Sequence, residues 1–353
     1  MRWDIAAPAI LYVVYRAHSH KSLTPLGCLT AALTATIHAL HPSPVPFTLL
    51  LTFFVLGTTA TKIKAEVKST LTLNSTGSHV RGPSSTALGD VFSGGWNKTK
   101  QFQDQKQRAA SKNGGGRAAA GGQEPRSTTQ VLANSACASL LCLYHVFLYG
   151  TSGEEEVHSC FGVGTNRTTD AVLLGIVANY AATAADTLSS ELGILSRSKP
   201  RFILQPWKIV PPGTNGGVSV AGLVAGFIGA GLVGVVSTLI LPRPCSGLLR
   251  DQIKMVLVTA GWGLLGSILD SVLGAALQAS VIDRRSGKVV EAPNGGRVKV
   301  VAEKLKIEDV NGKSNPSRVI GSGVDILDNN QVNFLMASTL TVGAIVLALT
   351  IWP

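Results

Sequence analysis

The chain has 353 residues, of which 45% are hydrophobic and only 14% are charged. A typical soluble domain has roughly a quarter charged residues, so this composition argues against a water-soluble domain and favours a membrane bundle. The net charge of +11 would suggest a nucleic-acid partner in a soluble protein. Here the basic residues are concentrated in loops between apolar segments, which argues against nucleic acid.

The apolar segments predict seven or eight membrane-spanning helices, because a helix needs about 20 apolar residues to cross about 30 Å of hydrocarbon. Residues 3–15 form a short apolar segment that is either an eighth span or an interfacial anchor. The other predicted spans are residues 24–40, 47–60, 130–149, 170–188, 218–240, 252–276 and 332–352. The predicted fold class is therefore all-α, a polytopic transmembrane helical bundle.

The distribution of basic residues predicts the orientation of these spans. Of the 31 Lys and Arg residues, 26 fall in the alternate loops 16–23, 61–129, 189–217 and 277–331. The positive-inside rule places such loops in the cytosol or its topological equivalent. Residues 73–129 are polar and glycine-rich, and they are predicted to form a flexible basic cytosolic insertion. This insertion separates the first helices, residues 1–72, from a transmembrane core formed by residues 130–353.

The first polar cluster follows the third predicted span and contains Lys62, Lys64, Glu66 and Lys68. One interpretation is a basic anchor at the membrane surface, with Glu66 paired to Lys62 at helical spacing. The alternative is that the lysines bind the phosphates of a nucleotide.

The second cluster closes the fifth predicted span and contains Asp186, Ser190 and Glu191. Carboxylates and hydroxyls are suitable ligands for Mg²⁺, which carries nucleotide phosphates. On a straight helix Glu191 lies about 140° around from Asp186, so the two acids converge only if the helix ends between them. The alternative is a polar helix cap.

The third cluster precedes the sixth predicted span and is a turn rich in glycine. A turn of this kind at a helix N-terminus can leave backbone N–H groups free to hold a phosphate. A simple Pro/Gly turn into the helix is the alternative interpretation. The residues of this predicted cofactor-binding turn are Gly213, Thr214, Asn215, Gly216 and Gly217.

The last two clusters lie on the seventh and eighth predicted spans. Asp270 lies within a span, one turn before Gly274, and an ionisable residue at membrane depth usually has a function. Before the last span, Asp328 or Asn329 could be a plain N-cap. The further amides, including Asn330 and Asn333, exceed what a cap requires, so Asp328, Asn329, Asn330 and Asn333 are predicted to bind the cofactor.

All five clusters are predicted to lie at the same inner interface. The third, fifth and seventh spans run inward and carry their clusters at the end, whereas the sixth and eighth run outward and carry theirs at the beginning. Helix caps without a common function would be distributed over both faces. The pattern therefore predicts a single site, with Asp186, Glu191 and Asp270 as its Mg²⁺ ligands and catalytic residues.

At these five clusters the chain resembles the integral-membrane family of domain-of-unknown-function group 92. This family includes vertebrate transmembrane protein 19 and a plant enzyme, phytyl-phosphate kinase. The resemblance covers roughly residues 22–72 and 130–353. It implies that a nucleoside triphosphate phosphorylates an isoprenoid monophosphate, such as a phytyl or prenyl phosphate, to the diphosphate.

The leading hypothesis is therefore a membrane-embedded kinase that acts on a lipid phosphate and uses Mg²⁺. A transporter or channel, whose intramembrane acids line a permeation path, is an alternative. A family member without catalytic activity, acting in assembly, is a third. The chain reaches a hydrophobic segment without a Ser/Arg-rich transit sequence, which favours an endomembrane location, the endoplasmic reticulum, over a plastid.

Overall fold

The computed structural model describes residues 2–75, 125–150, 167–241, 248–298, 300, 306–308 and 314–351. Most of the predicted insertion lies outside these residues. Within them, the fold is a bundle of long apolar helices, so the predicted polytopic helical membrane protein is confirmed. In chain order the helices are α1 (Trp3–Ser19), α2 (Pro25–Leu40), α3 (Val45–Lys62), α4 (Ala65–Leu71), α5 (Thr128–Tyr149), α6 (Arg167–Gly193), α7 (Val220–Ile240), α8 (Leu249–Leu277) and α9 (Asn329–Ile351).

Six of the described helices, α3 and α5 to α9, are long and apolar enough to cross a membrane. They correspond to six of the predicted spans. The other two predicted spans correspond to α1 and α2, which have 17 and 16 residues. Both are shorter than the roughly 20 residues that a straight crossing requires.

Helix α6 is the centre of the bundle and packs against α3, α5, α7, α8 and α9. Its side chains at Ile176, Tyr180 and Ala184 are completely buried. Small residues let its neighbours approach closely, as is common between membrane helices. On α7, for example, a Cβ atom at Gly226 would lie only 3.0 Å from the carbonyl oxygen of Ala185.

The contact between α6 and α8 sets the register of these two helices. A Cβ atom at Gly266 of α8 would lie 2.7 Å from the Cβ of Ala182 on α6. The two helices run in the same direction, because the chain crosses the bundle once between them, through α7. Asp186 lies four residues, or about one helical turn, after Ala182, and Asp270 lies four residues after Gly266. The glycine contact therefore brings the two aspartates to the same level.

The loops at one end of the bundle, which the charge distribution predicts to be the inner end, contain short strands that the all-α prediction did not include. They are β1 (Leu73–Asn74), β2 (Arg201–Phe202), β3 (Gln205–Ile209), β4 (Gly217–Val218), β5 (Ser280–Asp283), β6 (Val289–Glu291), β7 (Lys306–Glu308), β8 (Ser314–Pro316) and β9 (Arg318–Ser322). They form three small sheets, ordered β1-β6-β5-β9, β3-β2-β4 and β7-β8. Strands of two to five residues are too short to give a clear alternating pattern in the sequence.

Both ends of the predicted insertion, residues 73–129, belong to the folded protein. At one end Leu73 is buried and pairs in parallel with Val290 of β6. At the other end the backbone N–H of Arg126 donates to Ser22 O, and its carbonyl accepts from Thr24 N, each at 3.0 Å. The segment between these ends is thus attached to the bundle at two fixed points.

Candidate functional site

A cavity of about 1040 Å³ lies at the inner end of the bundle, where α3, α6 and α8 end and α5, α7 and α9 begin. All five predicted clusters contribute to its wall, although the chain crosses the bundle between them. The predicted site residues that line it are Lys68, Asp186, Glu191, Gly213, Thr214, Asn215, Gly216, Gly217, Asp270, Asp328 and Asn329. The structure thus brings most of the predicted residues together around one space.

Asp186 and Asp270 form a carboxyl pair in the wall of this cavity. Their carboxyl groups lie at hydrogen-bonding distance from each other across the α6–α8 contact, so that a proton on either one is shared between them. The amide of Asn333 on α9, oriented with its nitrogen toward Asp270, donates to Asp270 Oδ1 at 3.1 Å and to Asn329 O at 3.0 Å. Three helices therefore fix the position of the pair, and the hydroxyl-bearing Ser267 and Ser271 line the cavity beside it.

Glu191 does not join this carboxyl pair. Helix α6 continues to Gly193, so the condition for convergence, a helix end between Asp186 and Glu191, is not met. Instead Glu191 Oε2 accepts a hydrogen bond from Lys68 Nζ at 2.6 Å. The predicted set of three carboxylates is accordingly corrected to a pair, and the described residues contain no group of three or more His, Cys, Asp or Glu side chains suited to a metal ion.

Lys68 is the member of the first cluster that reaches the site. Its side chain is 7% exposed, and its Nζ also donates to Ala60 O at 2.7 Å near the end of α3. In contrast, the side chains of Lys62, Lys64 and Glu66 are exposed outside the cavity. Lys68 therefore ties α4 to both α3 and α6, whereas the other three residues lie where a surface anchor would.

The glycine-rich turn lies against α8 and not at the start of a helix. At Gly216, with φ of +74°, a Cβ atom would lie 2.4 Å from the Cβ of Ala275. The N–H of Asn215 donates to Ser280 Oγ at 2.9 Å, and that of Gly217 donates to Thr214 O at 2.8 Å.

Helix α7 begins only at Val220, after β4, and Ser219 caps it. The predicted phosphate cradle at a helix N-terminus is therefore not the geometry found, because several N–H groups of the turn are used within the fold.

The polar residues before α9 have separate roles. Asp328 is a cap: its Oδ1 accepts from Gln331 N, and Gln331 Oε1 accepts from Asp328 N, both at 2.9 Å. Asn330 is buried and donates to Asn294 O at 2.9 Å, which holds the loop after β6 against the helix. With Asn333 bound to Asp270, the extra amides are explained by contacts beyond the cap.

Arg126 is a site residue that the sequence analysis missed, because it lies within the range predicted as a flexible insertion. It lines the cavity. Its guanidinium lies against the backbone of α3 at Gly57, since a Cβ atom built on that glycine would be 3.1 Å from each terminal nitrogen of Arg126. Burial lowers the pKa of Arg126, and the negative charge of Glu191 partly offsets that effect. A single Arg in a polar, glycine-rich segment gives no periodic signal that could have identified it.

The rim of the cavity carries further charged groups. Arg197 and Lys199, after α6, are exposed and line the opening. Glu291 of β6 lies opposite the glycine-rich turn, and its carboxyl is hydrogen-bonded to Thr72. Glu291 as a residue is exposed, but the protein atoms packed around its carboxyl remove water from it and raise its pKa, and the hydrogen bond from Thr72 opposes this rise. The site thus combines carboxylates with several cations and hydroxyls.

A second polar group lies at the opposite end of the bundle, and its histidines form no recognised motif in the sequence. Helices α2 and α5 pack together, and this brings the rings of His41 and His145 to a centroid distance of 4.1 Å. His38 Nε2 is 2.7 Å from the hydroxyl of Tyr180 on α6. These four side chains are at most 2% exposed, so they form a polar network within the core.

Comparison with known proteins gives the same picture of a membrane protein. Protein PGR of Arabidopsis thaliana is 36% identical over 222 residues, which cover 61% of this chain and 68% of that protein. An uncharacterized membrane protein of Methanocaldococcus jannaschii is 38% identical over 106 residues, covering 30% of this chain and 40% of that protein. No solved structure is significantly similar. The family model for integral membrane protein DUF92 matches residues 8–93 and 91–341, and the chain therefore belongs to this family.

Proposed function

We propose that the chain is a membrane-embedded kinase that transfers the terminal phosphoryl group of a nucleoside triphosphate to an isoprenoid monophosphate. The observation that carries this proposal is the carboxyl pair of Asp186 and Asp270, placed in one cavity with the cations Arg126 and Lys68. Such a mixture suits a substrate that brings phosphates together with a divalent cation. The cavity opens where membrane helices end, so a lipid phosphate and a water-soluble nucleotide could both reach it.

The carboxyl pair fits the requirements of Mg²⁺. This ion is commonly held by one or two carboxylates, with substrate phosphates and waters as the remaining ligands, and so a third protein carboxylate is not needed. Asp186 and Asp270 would be those ligands, and bound Mg²⁺ would neutralise charge on the transferred phosphoryl group. Glu191 serves a different purpose, since its ion pair with Lys68 holds α4 against α6.

In the proposed reaction an oxygen of the lipid monophosphate attacks the terminal phosphorus of the nucleotide. The bond from that phosphorus to the bridging oxygen breaks, and the products are a lipid diphosphate and a nucleoside diphosphate. Phosphoryl transfer depends mainly on positioning and charge stabilisation. The residues of this chain would supply both: cations hold the phosphates, and the helices α6, α8 and α9 fix the carboxyl pair.

The test is turnover by the purified protein in lipid nanodiscs with a labelled nucleoside triphosphate and a panel of prenyl monophosphates. Asp270→Asn preserves the shape of the side chain and its hydrogen bonds to Asn333 and Asp186, but it removes the charge. We expect normal folding with turnover reduced by about two orders of magnitude or more. Asp186→Asn should behave alike, and the double variant should be no worse than either single variant, because the pair acts as a unit.

Retention of full turnover by Asp270→Asn would refute the role of the carboxyl pair. A wild-type protein that transfers no phosphoryl group from any of the common nucleoside triphosphates to the panel would refute the kinase itself.

A transporter is the second candidate, and the buried polar network of His38, His41, His145 and Tyr180 favours it. Ionisable groups then occur at both ends of the bundle, as a permeation path would require. Uptake of labelled prenyl phosphate into sealed proteoliposomes, measured without nucleotide, separates the two proposals. Uptake without nucleotide turnover would support the transporter, and turnover without uptake would support the kinase.

A further inference from the structure

Outside the carboxyl pair, Arg126 is a cation that lies at a junction of helices in the cavity wall. Its backbone is fixed to α2 by the hydrogen bonds to Ser22 and Thr24, and its guanidinium lies on α3 at Gly57. The residue therefore lies where α2, α3 and the start of α5 meet, in the wall of the cavity. Side-chain packing alone does not require a guanidinium at this junction.

In the described part of the chain, no carboxylate forms an ion pair with the guanidinium of Arg126. Among the residues that the structure describes, the acid whose charge acts on it is Glu191, and that carboxylate is already bound to Lys68 at 2.6 Å. A buried cation without a bound counter-ion is costly. The planar guanidinium is well suited to bind a phosphate through two parallel hydrogen bonds.

The depth of the guanidinium indicates which phosphate it meets. Gly57 lies five residues before the end of α3 at Lys62, so the guanidinium reaches about 7.5 Å below the end of that helix. Exposed apolar side chains follow α2 and α5 beside it, among them Leu29 and Leu140. By contrast, Arg197 and Lys199 are exposed at the rim, where a water-soluble nucleotide would enter.

We propose that Arg126 binds the phosphate monoester of the lipid acceptor, and that Gly57 keeps open the niche in which its guanidinium lies. This inference rests on the proposed function and names the residue that recognises the acceptor. The hydrocarbon tail would extend from this point along the lipid-facing sides of α2 and α5. The nucleotide phosphates would contact the rim cations instead.

The experiment measures binding and not turnover, so it does not depend on phosphoryl transfer. Protein in nanodiscs is titrated with geranylgeranyl monophosphate and with geranylgeraniol, which lacks the phosphate, in the absence of nucleotide and Mg²⁺. We expect the wild type to bind the monophosphate at least tenfold more tightly than the alcohol. Arg126→Gln should lose this difference and keep its affinity for the alcohol.

Two variants retain the positive charge and guard against a folding defect in Arg126→Gln. Arg126→Lys should bind the monophosphate with reduced affinity, because the ammonium cannot make the bidentate contact. Gly57→Ala should also weaken binding, because its methyl group displaces the guanidinium. The matched control is Arg285→Gln, which removes an exposed charge outside the cavity and should bind as the wild type does.

Equal affinity of the wild type for monophosphate and alcohol would overturn the inference, as would unchanged selectivity in both Gly57→Ala and Arg126→Lys. A parallel titration with a nucleoside triphosphate identifies the source of the phosphate. If Arg126→Lys weakens nucleotide binding and leaves the lipid unaffected, Arg126 belongs to the donor and the inference is wrong. Absence of turnover in a protein that passes these binding tests would instead refute the kinase alone.

Discussion

The packing of α6 against α8 can be tested by adding one methyl group at Gly266. Its Cβ would lie 2.7 Å from the Cβ and 3.0 Å from the Cα of Ala182, distances that require one helix to move. The helix propensity of Ala exceeds that of Gly by about 1 kcal/mol, but overpacking in a tight core costs about 1–3 kcal/mol. Gly266→Ala should therefore change the free energy of unfolding by between about 0 and −2 kcal/mol.

The matched control lies on the same helix. A Cβ atom at Gly261 has nothing within 4 Å, so Gly261→Ala should gain helix propensity without the clash and stabilise by up to about 1 kcal/mol. Thermal unfolding of both variants in the same detergent gives the comparison. Adding Ala182→Gly to Gly266→Ala removes the closer contact and should restore part of the stability. A Gly266→Ala protein as stable as Gly261→Ala would refute the close approach of the two helices.

Three further predictions concern the surroundings of the cavity. Lys68→Ala leaves the carboxylate of Glu191 without its partner and should lower the free energy of unfolding by about 1.5–3 kcal/mol. Adding Glu191→Gln to Lys68→Ala should cause only a small further loss of stability, which a double-mutant cycle would show. Deletion of residues 78–124 should change stability in thermal unfolding by less than about 1 kcal/mol, whereas extending the deletion through Arg126 should lower it further. The pKa of Glu291 is raised in the folded protein, so the stability of the wild type should fall as the pH rises from the ordinary carboxyl pKa through the raised one. A pH series of melting temperatures should show this loss in the wild type and not in Glu291→Gln.

The bundle could be predicted from the sequence because each span is a local property of the chain. Length and hydropathy identify a helix such as α7 without reference to its neighbours, and the alternation of direction then places the helix ends. This alternation places Asp186 and Asp270 at the same end of the bundle, and the contact of Gly266 with Ala182 then brings them to one level.

Which side chains contact each other within the site could not be predicted in the same way. Whether Glu191 turns toward Asp186 depends on where α6 ends, and its last turn continues because Gly193 packs against Gly222 of α7. The role of Arg126 depends on a contact with Gly57, about 70 residues away in the sequence. The histidines of α2 and α5 likewise meet only through helix packing, and no local spacing of His38, His41 and His145 indicates it.

The central position of α6 has a consequence for biosynthesis. Helices enter the membrane in the order of translation, so α6 is inserted before α7, α8 and α9 exist to surround it. Until then Asp186 of α6 faces lipid or the insertion machinery, and an unpaired ionisable group there is unfavourable. Asn333, which completes the contacts of Asp270, lies on α9 and is made after α6, α7 and α8. The site of the nascent chain therefore stays incomplete until α9 is inserted. A chain that stops before α9 would expose the same carboxyl pair to the cell's quality control.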